Sequence, residues 1–433
     1  MAVRTTSSWL LPFVFGVSAF AALVNLPACL TADLAAPSAP AVGPTEAGPA
    51  TPPIDASLPD ERFDVPITGA TDAEREIFLA GDRLFETPLR DADGLGPLYT
   101  RTSCGACHAA GARGPGAVQK MAVVLGDGVT PSDDQSALPY GNTVHPLYTG
   151  GGTRAIVPPL DTPTVKVTTR VGPPIIGRGY VEAVLDSEIE RVALEQAART
   201  DGIHGRINHV VYASDANPDT RFHRHQKGDV VIGRFGFKGR VATLDDFTAD
   251  ALQGDMGITS PLRPSEFANP DGLADDLKPG VDVPIDSVNV RAMYVRLTAI
   301  PRRTSTAQGA ALFAQTKCSA CHVPTLKTRV DYPIAVLAGI DAPIYSDILL
   351  HDMGESLADG IRDGEAKSRD WRTPPLIGLR FFKTFLHDSR ATSLEQAVVL
   401  HDGRGSEAAE SVAMFGALSA ADKATLLAFL GSL

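Results

Sequence analysis

The sequence predicts a mainly α-helical fold made of two similar units with extensive irregular loops, and three observations support this prediction. A five-residue motif, Cys-x-x-Cys-His, occurs twice, at residues 104–108 and 318–322. A segment with helical spacing of apolar residues precedes each copy. Glycine and proline occupy 40 and 33 of the 433 positions, and both residue types favour turns. We therefore expect helices around each motif and irregular chain between them.

Helix signals surround the first motif. Thr71 and Glu74 form a capping-box pattern, and apolar residues at helical spacing follow as far as Glu86, so this helix is expected to lead into the motif. Apolar spacing predicts a second helix over 180–199. A short helical candidate lies at 243–252, and the rest of the stretch before residue 280 is rich in turn residues.

The second motif has a similar setting. A helix from Ser305 is expected to run into it. Thr392 and Ser419 are predicted helix starts, because an acidic residue follows each of them three positions later. The last helix has an apolar side, and we expect that side to pack against the helix from Ser305.

The N-terminus predicts export from the cytoplasm. Residues 1–28 contain a basic residue followed by an apolar run at 9–26, which is the pattern of a signal peptide. The run ends in Leu-Pro-Ala-Cys, which is similar to a bacterial lipoprotein cleavage box with Cys29 as the lipidated residue. The alternative is a plain signal peptide with an incidental Cys29. Leu30 is typical of sorting to the outer membrane, so we expect a periplasmic protein and consider an outer-membrane lipoprotein.

Composition divides the remaining chain into three parts. Residues 29–60 are rich in Ala, Pro, Thr and Gly and show no apolar period, which predicts a disordered tether. Two folded domains follow, each organised around one motif. We expect an N-terminal domain with inserted loops over 61–300 and a C-terminal domain over 301–433.

The repeated motif is an attachment signature for haem c. Its two thiols form thioether bonds to the haem vinyl groups, and its histidine binds the iron from the proximal side. A thioredoxin-like redox pair and half a zinc site are the alternatives. Two copies behind an export signal, with no further cysteine pair to complete a zinc site, favour haem. Two covalently bound haem c groups are therefore expected, one on Cys104, Cys107 and His108 and one on Cys318, Cys321 and His322.

Several segments around the motifs resemble the di-haem oxidoreductase family, whose members are described as peroxidases and in some cases as thiol oxidoreductases. The resemblance runs in family order from about residue 74 to the C-terminus. It implies two cytochrome c-like haem domains and a relationship to bacterial di-haem cytochrome c peroxidases and to the enzyme that matures tryptophan tryptophylquinone. The segments are DGLGPL at 93–98, GRFG at 233–236, LLHDMG at 349–354, WRTPPL at 371–376 and LHD at 386–388.

The resemblance also implies a second axial ligand for the C-terminal haem. In the relatives this ligand follows the histidine of a His-Asp-Gly-like segment at a fixed distance. The segment is 387–389 here, and the corresponding position holds His401, where the relatives have Met or Tyr. The expected ligands are therefore His322 and His401, which give a low-spin iron. The alternative is that His401 only ends a helix before the turn at 402–403.

The N-terminal haem is the expected site of chemistry. Cleavage of peroxide needs a group that moves a proton between the two oxygens, and a carboxyl group above an open iron can do this. The segment PPIIGRGYVEA at 173–183 resembles a family run that ends in Glu-Ala, which implies Glu182 as the catalytic residue. Its apolar neighbours are expected to raise the pKa of a buried Glu182. A solvated helix glutamate is the alternative.

Five other features have candidate roles. Trp371 could lie against the second haem or relay an electron, or it could simply pack. His351 and Met353 could line the pocket of the second haem, and either is an alternative axial ligand to its iron. Arg113 is a candidate partner for a haem propionate. The loop at 201–205 is shorter than the acidic, glycine-rich loop of the family, so calcium is possible there but unsupported.

The net charge of −12 excludes nucleic acid as an expected partner, because phosphate binding needs clustered Lys and Arg. We expect a small electron-donor protein, either a cytochrome or a cupredoxin, and peroxide or another small oxidant. In this hypothesis the bis-His C-terminal haem passes electrons to an open N-terminal haem. The alternatives are a non-enzymatic electron-transfer cytochrome and a haem oxidase that acts on a protein, thiol or organic substrate.

Overall fold

The computed structural model describes residues 64–109, 116–150, 154–159, 164–272, 280–304 and 306–433. The expected signal peptide, the tether, Cys29 and Arg113 lie outside the described residues. All described residues belong to one compact unit, Ala50–Leu433. The expected division of the folded part at residue 300 stays a prediction.

The described part of the chain contains nine α-helices and five small antiparallel sheets of two strands each. Long irregular stretches connect them, as the glycine and proline content predicts. None of the helices among the described residues combines the length and apolar character needed to span a membrane. The helices are α1 Asp72–Glu86, α2 Arg178–Ala183, α3 Asp186–Ala197, α4 Leu244–Met256, α5 Ile285–Leu297, α6 Ala307–Gln315, α7 Leu394–Val399, α8 Ala409–Ala417 and α9 Ala420–Ser432. The paired strands are β1 Leu98–Tyr99 with β3 Leu147–Tyr148, β2 Ala117–Val123 with β4 Val165–Val171, β5 His209–Val211 with β6 Val230–Ile232, β7 Leu326–Lys327 with β8 Asp341–Ala342, and β9 Leu350–Asp352 with β10 Asp370–Arg372.

Helix α1 begins as predicted and packs against α5. The Thr71 hydroxyl accepts a hydrogen bond from the backbone of Glu74, and the Glu74 carboxylate accepts one from the backbone of Thr71. Phe78 and Phe85 of α1 lie 4.9 and 5.1 Å from the Tyr294 ring, centroid to centroid. Helix α5 was not predicted, because eight of its thirteen residues are buried and it therefore lacks a one-sided apolar stripe.

The predicted helix over 180–199 is wrong as a single element. It is divided into α2 and α3, and Val184 and Leu185 between them are extended. Val184 forms a β-bridge with Thr328, and the Leu185 amide donates to the Lys327 carbonyl at 3.0 Å. These long-range bonds replace the helical ones, so tertiary pairing overrides the local apolar pattern.

The C-terminal helices confirm the expected packing. Thr306 caps α6 and Ser419 caps α9, and the two helices meet at Phe313 and Phe429, whose rings are 5.5 Å apart. A side chain at Gly309 would collide with Phe429, so glycine permits this close approach. The start of α7 is shifted by one residue from the prediction, because Ser393 rather than Thr392 provides the cap.

One large hydrophobic core includes residues from both sides of position 300. Tyr180 and Tyr294 are in it together with Leu349, and all three are fully buried. A second core contains Phe313, Phe429 and other residues of the C-terminal helices. The shared core fixes the positions of the chain segments that approach the two motifs.

Candidate haem-binding sites

The N-terminal motif follows α1 and holds His108 in a defined orientation. The amide of Gly105 donates to the Phe85 carbonyl at 3.0 Å, which ties the motif to the end of α1. The Nδ1 of His108 bonds to the Pro173 carbonyl at 2.7 Å. A carbonyl can only accept, so Nδ1 carries the proton and the Nε2 lone pair is available to a metal. Burial lowers the pKa of His108 to about 4, which keeps the ring neutral.

The C-terminal motif repeats this arrangement. The His322 amide donates to the Cys318 carbonyl at 3.0 Å, and the Nδ1 of His322 donates to the Tyr345 carbonyl at 3.0 Å. Burial lowers the pKa of His322 to about 4. Both motif histidines are therefore neutral, with Nε2 as the nitrogen that can bind iron.

His401 is held through Nδ1 by a backbone carbonyl, as the two motif histidines are. Its Nδ1 donates to the Ala397 carbonyl at 2.6 Å, so its Nε2 is also available. Burial lowers the pKa of His401, and the ring is close enough to His322 that its charge lowers the pKa of His322. Two neutral imidazoles near each other, each held through Nδ1, match the requirements of a bis-His iron site.

The cysteines and histidines present fit haem c at both motifs. All four motif cysteines are free and only partly exposed. Burial raises the pKa of the thiols, as at Cys107, where it reaches about 11, so they remain protonated and unpaired. Two thiols and one neutral imidazole at each motif are the donor set that covalent haem attachment needs.

His351 is not an axial ligand, which corrects one of the alternatives. Its Nε2 contacts the Asp347 carboxylate at 2.9 Å, and its Nδ1 contacts the Glu407 carboxylate at 2.7 Å. Burial opposes the charge, but Cys321 and the Asp347 carboxylate raise the pKa of His351 well above its ordinary value. With both nitrogens occupied, His351 has no lone pair for iron. Met353 as an alternative ligand stays a prediction.

Cys321, Asp347 and His351 offer three possible ligand atoms within 4.8 Å of one another. The carboxylate and the imidazole already bond to each other, and the Asp347 amide donates to the Cys321 carbonyl at 2.9 Å. The group thus positions the second motif.

The acidic residue of the loop at 201–205, which was considered for calcium, forms ion pairs inside the protein. Asp201 pairs with Arg199 and with Lys317.

The structure corrects the expected environment of Glu182. Its carboxylate is buried and accepts from Arg296 at 2.6 and 3.0 Å, from the Tyr332 hydroxyl at 2.8 Å and from the Leu244 amide at 2.7 Å. Burial alone would raise the pKa of Glu182, but the Arg296 charge and these bonds lower it. The expected upward shift is therefore wrong, and so is a solvated position. The catalytic role of Glu182 stays a prediction.

Asp255 is a carboxyl group near the N-terminal motif that sequence reasoning missed. Its backbone carbonyl accepts from the Thr100 amide at 2.7 Å and hydroxyl at 3.0 Å, which places it beside the approach to the motif. Burial raises the pKa of Asp255, and the charge of Asp255 acts on Cys107. No sequence pattern marked this residue, because only the packing of the C-terminal end of α4 brings it to the motif.

Trp371 and His387 form a stacked pair. Their ring centroids are 3.8 Å apart with an interplanar angle of 17°. The ammonium of Lys238 lies 4.0 Å from the Trp371 ring centroid, and the Trp371 indole donates to the Leu357 carbonyl at 3.0 Å. Burial lowers the pKa of His387 to about 4. The buried pair is rigidly held, and an electron-relay role for Trp371 stays a prediction.

Together, the two equivalent motifs and the added histidine define a protein able to hold two haem groups. The chain belongs to the family described as "di-haem oxidoreductase, putative peroxidase", whose model matches residues 154–433. This confirms the resemblance found in the sequence. No curated protein matches the chain.

Solved structures with distant similarity to this chain include one described as a di-haem peroxidase. Hydrazine synthase from Kuenenia stuttgartiensis is 13% identical with a TM-score of 0.33, and the match covers 92% of this chain and 100% of that one. A variant of the di-haem peroxidase BthA from Burkholderia thailandensis is 15% identical with a TM-score of 0.35, covering 84% and 86%. A MauG-like protein associated with microbial copper homeostasis is 14% identical with a TM-score of 0.29, covering 58% and 89%.

Proposed function

We propose that this protein is an exported di-haem oxidoreductase that carries two covalently bound haem c groups and reduces peroxide or a related small oxidant. The observation that carries the proposal is the pairing of His322 with His401, each held through Nδ1 so that Nε2 can bind iron. Haem iron supplies one-electron chemistry, and a haem with an open position binds peroxide. In this proposal electrons would enter at the C-terminal site, where His322 and His401 would hold the iron, and the oxidant would be reduced at the N-terminal site.

In this proposal some residues attach the haem and others orient the histidines that bind its iron. Cys104 and Cys107 attach the cofactor at the first site, and the Pro173 carbonyl holds His108 in the tautomer that binds iron. The Tyr345 carbonyl performs the same task for His322. At the second site His401 would occupy the remaining iron position, which would confine peroxide binding to the first site.

The remaining parts of the proposal concern partners and location. The electron donor is a small redox protein, a cytochrome or a cupredoxin, and the net charge of −12 favours one with a basic face. The signal-peptide pattern at 1–28 supports a periplasmic location, and Cys29 supports a lipid anchor at the outer membrane.

Electron paramagnetic resonance of the purified protein, with and without hydrogen peroxide, tests the proposed function. We expect one low-spin haem and one haem whose signal changes when peroxide is added. Two low-spin haems that ignore peroxide would instead support the non-enzymatic electron-transfer cytochrome. A peroxide-silent protein that oxidises a thiol, protein or organic substrate would support the haem oxidase.

Replacing Asp255 by Asn is expected to slow peroxide turnover by about 100-fold or more while both haems are retained. A carboxyl group that moves the proton between the peroxide oxygens contributes about 10²–10⁴-fold, and Asn cannot replace it. Steady-state turnover with peroxide and a reduced donor measures the effect. Glu182→Gln, assayed in parallel, tests the family-derived prediction, and unchanged turnover in either variant rejects that residue as the proton carrier.

A further inference from the structure

Two buried arginines lie close to each other, one near each haem-binding motif. Arg178 begins α2, and its charge is close enough to His108 to lower the pKa of that ring. Arg372 ends β10, where burial lowers its pKa and the negative charge of Asp347 opposes that shift. Asp347 belongs to the surroundings of the second motif, because its amide donates to the Cys321 carbonyl. Arg178 is therefore near the first motif and Arg372 near the second. Only 8% of Arg178 and 7% of Arg372 is exposed.

Among the described residues, both guanidinium groups donate their hydrogen bonds to backbone carbonyls, which carry no charge. Arg178 donates through Nε to the Pro174 carbonyl at 2.7 Å, and its Nη1 is buried without a hydrogen-bond partner. Arg372 donates to the carbonyls of Gly236 and Thr373, both at 2.9 Å. Carbonyls satisfy donors but do not neutralise a positive charge.

The two guanidinium groups also repel each other. Burial and the charge of Arg372 lower the pKa of Arg178 to about 9, and burial lowers the pKa of Arg372 to about 10. Buried charges in proteins are normally paired. Arg296 follows this rule, because it bonds to both Glu182 and Asp245. Arg178 and Arg372 form no hydrogen bond to a carboxylate among the described residues, although the charge of Asp347 acts on Arg372, so a further anion beside them would offset their positive charge.

We propose that Arg178 and Arg372 bind propionate carboxylates of the two haem groups and so form an arginine clamp between the haem sites. The proposal rests on the proposed function, because the propionates arrive only with bound haem. Arginine is suited to the task because its planar group can hold a carboxylate through two parallel hydrogen bonds. The clamp keeps the propionates ionised inside the protein and favours the reduced haem, which carries one more negative charge.

A third buried arginine shows what distinguishes the clamp. Arg303 donates to the carbonyls of Pro343 at 2.6 Å and Leu376 at 3.1 Å and to the Leu433 oxygen at 3.4 Å, and it lies 5.0 Å from the Tyr345 ring centroid. Its guanidinium is thus engaged on several sides. Arg178, by contrast, keeps a buried nitrogen that has no hydrogen-bond partner.

The test compares full-length holoprotein carrying Arg178→Gln or Arg372→Gln with the wild type. Redox titration followed by absorbance from about pH 5 to 8 gives the midpoint potential of each haem, and the pyridine haemochrome assay counts the haems. We expect each glutamine variant to keep both haems but to lower the potential of at least one. That potential is also expected to become pH-dependent, because a buried propionate without its arginine takes up a proton on reduction.

Matched variants define the controls. Arg362→Gln removes a half-exposed arginine that pairs with exposed Asp133, and it is expected to leave both potentials unchanged. Arg178→Lys and Arg372→Lys keep the charge without the paired donors and are expected to cause smaller shifts. If a glutamine variant does not accumulate as folded protein, the lysine variant at the same position is used instead. Midpoint potentials equal to those of the wild type in that lysine variant overturn the clamp.

Other outcomes separate the clamp from the proposed function. Wild-type potentials at every pH in both glutamine variants, with two haems attached, overturn the clamp and leave the di-haem function intact. If the midpoint potentials of variant and wild type differ only after acetate is added, the arginines bind a free carboxylate rather than the propionates. That result also overturns the clamp. A wild-type protein with fewer than two haems contradicts the proposed function itself.

Discussion

Replacing His401 by alanine is expected to convert the C-terminal haem from a low-spin bis-His state to a five-coordinate, high-spin state. The imidazole of His401 is held by the Ala397 carbonyl through Nδ1, which leaves Nε2 available as a ligand, and alanine offers no replacement. Absorbance and electron paramagnetic resonance spectra measure the conversion, which should affect one haem of the two. Added imidazole is expected to restore the low-spin signal by occupying the empty position.

A histidine elsewhere provides the control for this change. His209 is about half exposed and contacts Glu365 at the surface, so His209→Ala is expected to leave the spectrum unchanged. The bis-His assignment is wrong if His401→Ala retains both haems and the wild-type spectrum. Loss of the low-spin signal in both variants would point to a general effect of the substitutions on folding rather than on ligation.

Replacing Arg296 by methionine is expected to lower the free energy of unfolding by about 3–5 kcal/mol, the usual cost of breaking a buried ion pair on one side. Arg296 bonds to Glu182 at 2.6 Å and to Asp245 at 3.1 Å, and it lies 3.7 Å from the Phe222 ring centroid. Methionine would leave the Glu182 carboxylate buried without its main counter-charge. Chemical denaturation of the holoprotein at pH 7 measures the loss.

The effect of Arg296→Met should depend on pH in a defined direction. The pKa of Glu182 in the folded protein is below its ordinary value, so the ion pair stabilises the fold above the unfolded pKa. That stabilisation disappears as the pH falls through the folded pKa. The difference between wild type and variant should therefore be largest near neutrality and shrink below about pH 4.

An exposed arginine supplies the comparison for the buried pair. Arg191 bonds to Glu188 at 2.8 Å and to Glu195 at 2.5 Å on the surface of α3, and it is about half exposed. Arg191→Met is expected to cost no more than about 1 kcal/mol. Equal losses from Arg191→Met and Arg296→Met would contradict the importance given to the buried network.

Local patterns predicted the elements whose signals lie within a few residues. The capping box at Thr71 and the cap at Ser419 begin helices where expected, because cap hydrogen bonds join near neighbours in the chain. The apolar spacing failed to predict the break at Val184 and Leu185, because the backbone there pairs with a segment far along the chain instead of forming helical hydrogen bonds. Helix α5 was missed because burial on most sides leaves no periodic signal.

The sequence by itself determined that two Cys-x-x-Cys-His motifs are present, that His401 is a candidate for the second iron and that the chain resembles di-haem oxidoreductases. Covalent attachment depends on residues adjacent in the chain, so no fold is needed to recognise it. Only the tertiary structure decided that Arg296 binds Glu182, that His351 has both nitrogens occupied and that Arg178 and Arg372 bond to carbonyls rather than to carboxylates among the described residues. Charge state and pairing depend on burial and on distant partners, and folding alone brings these together.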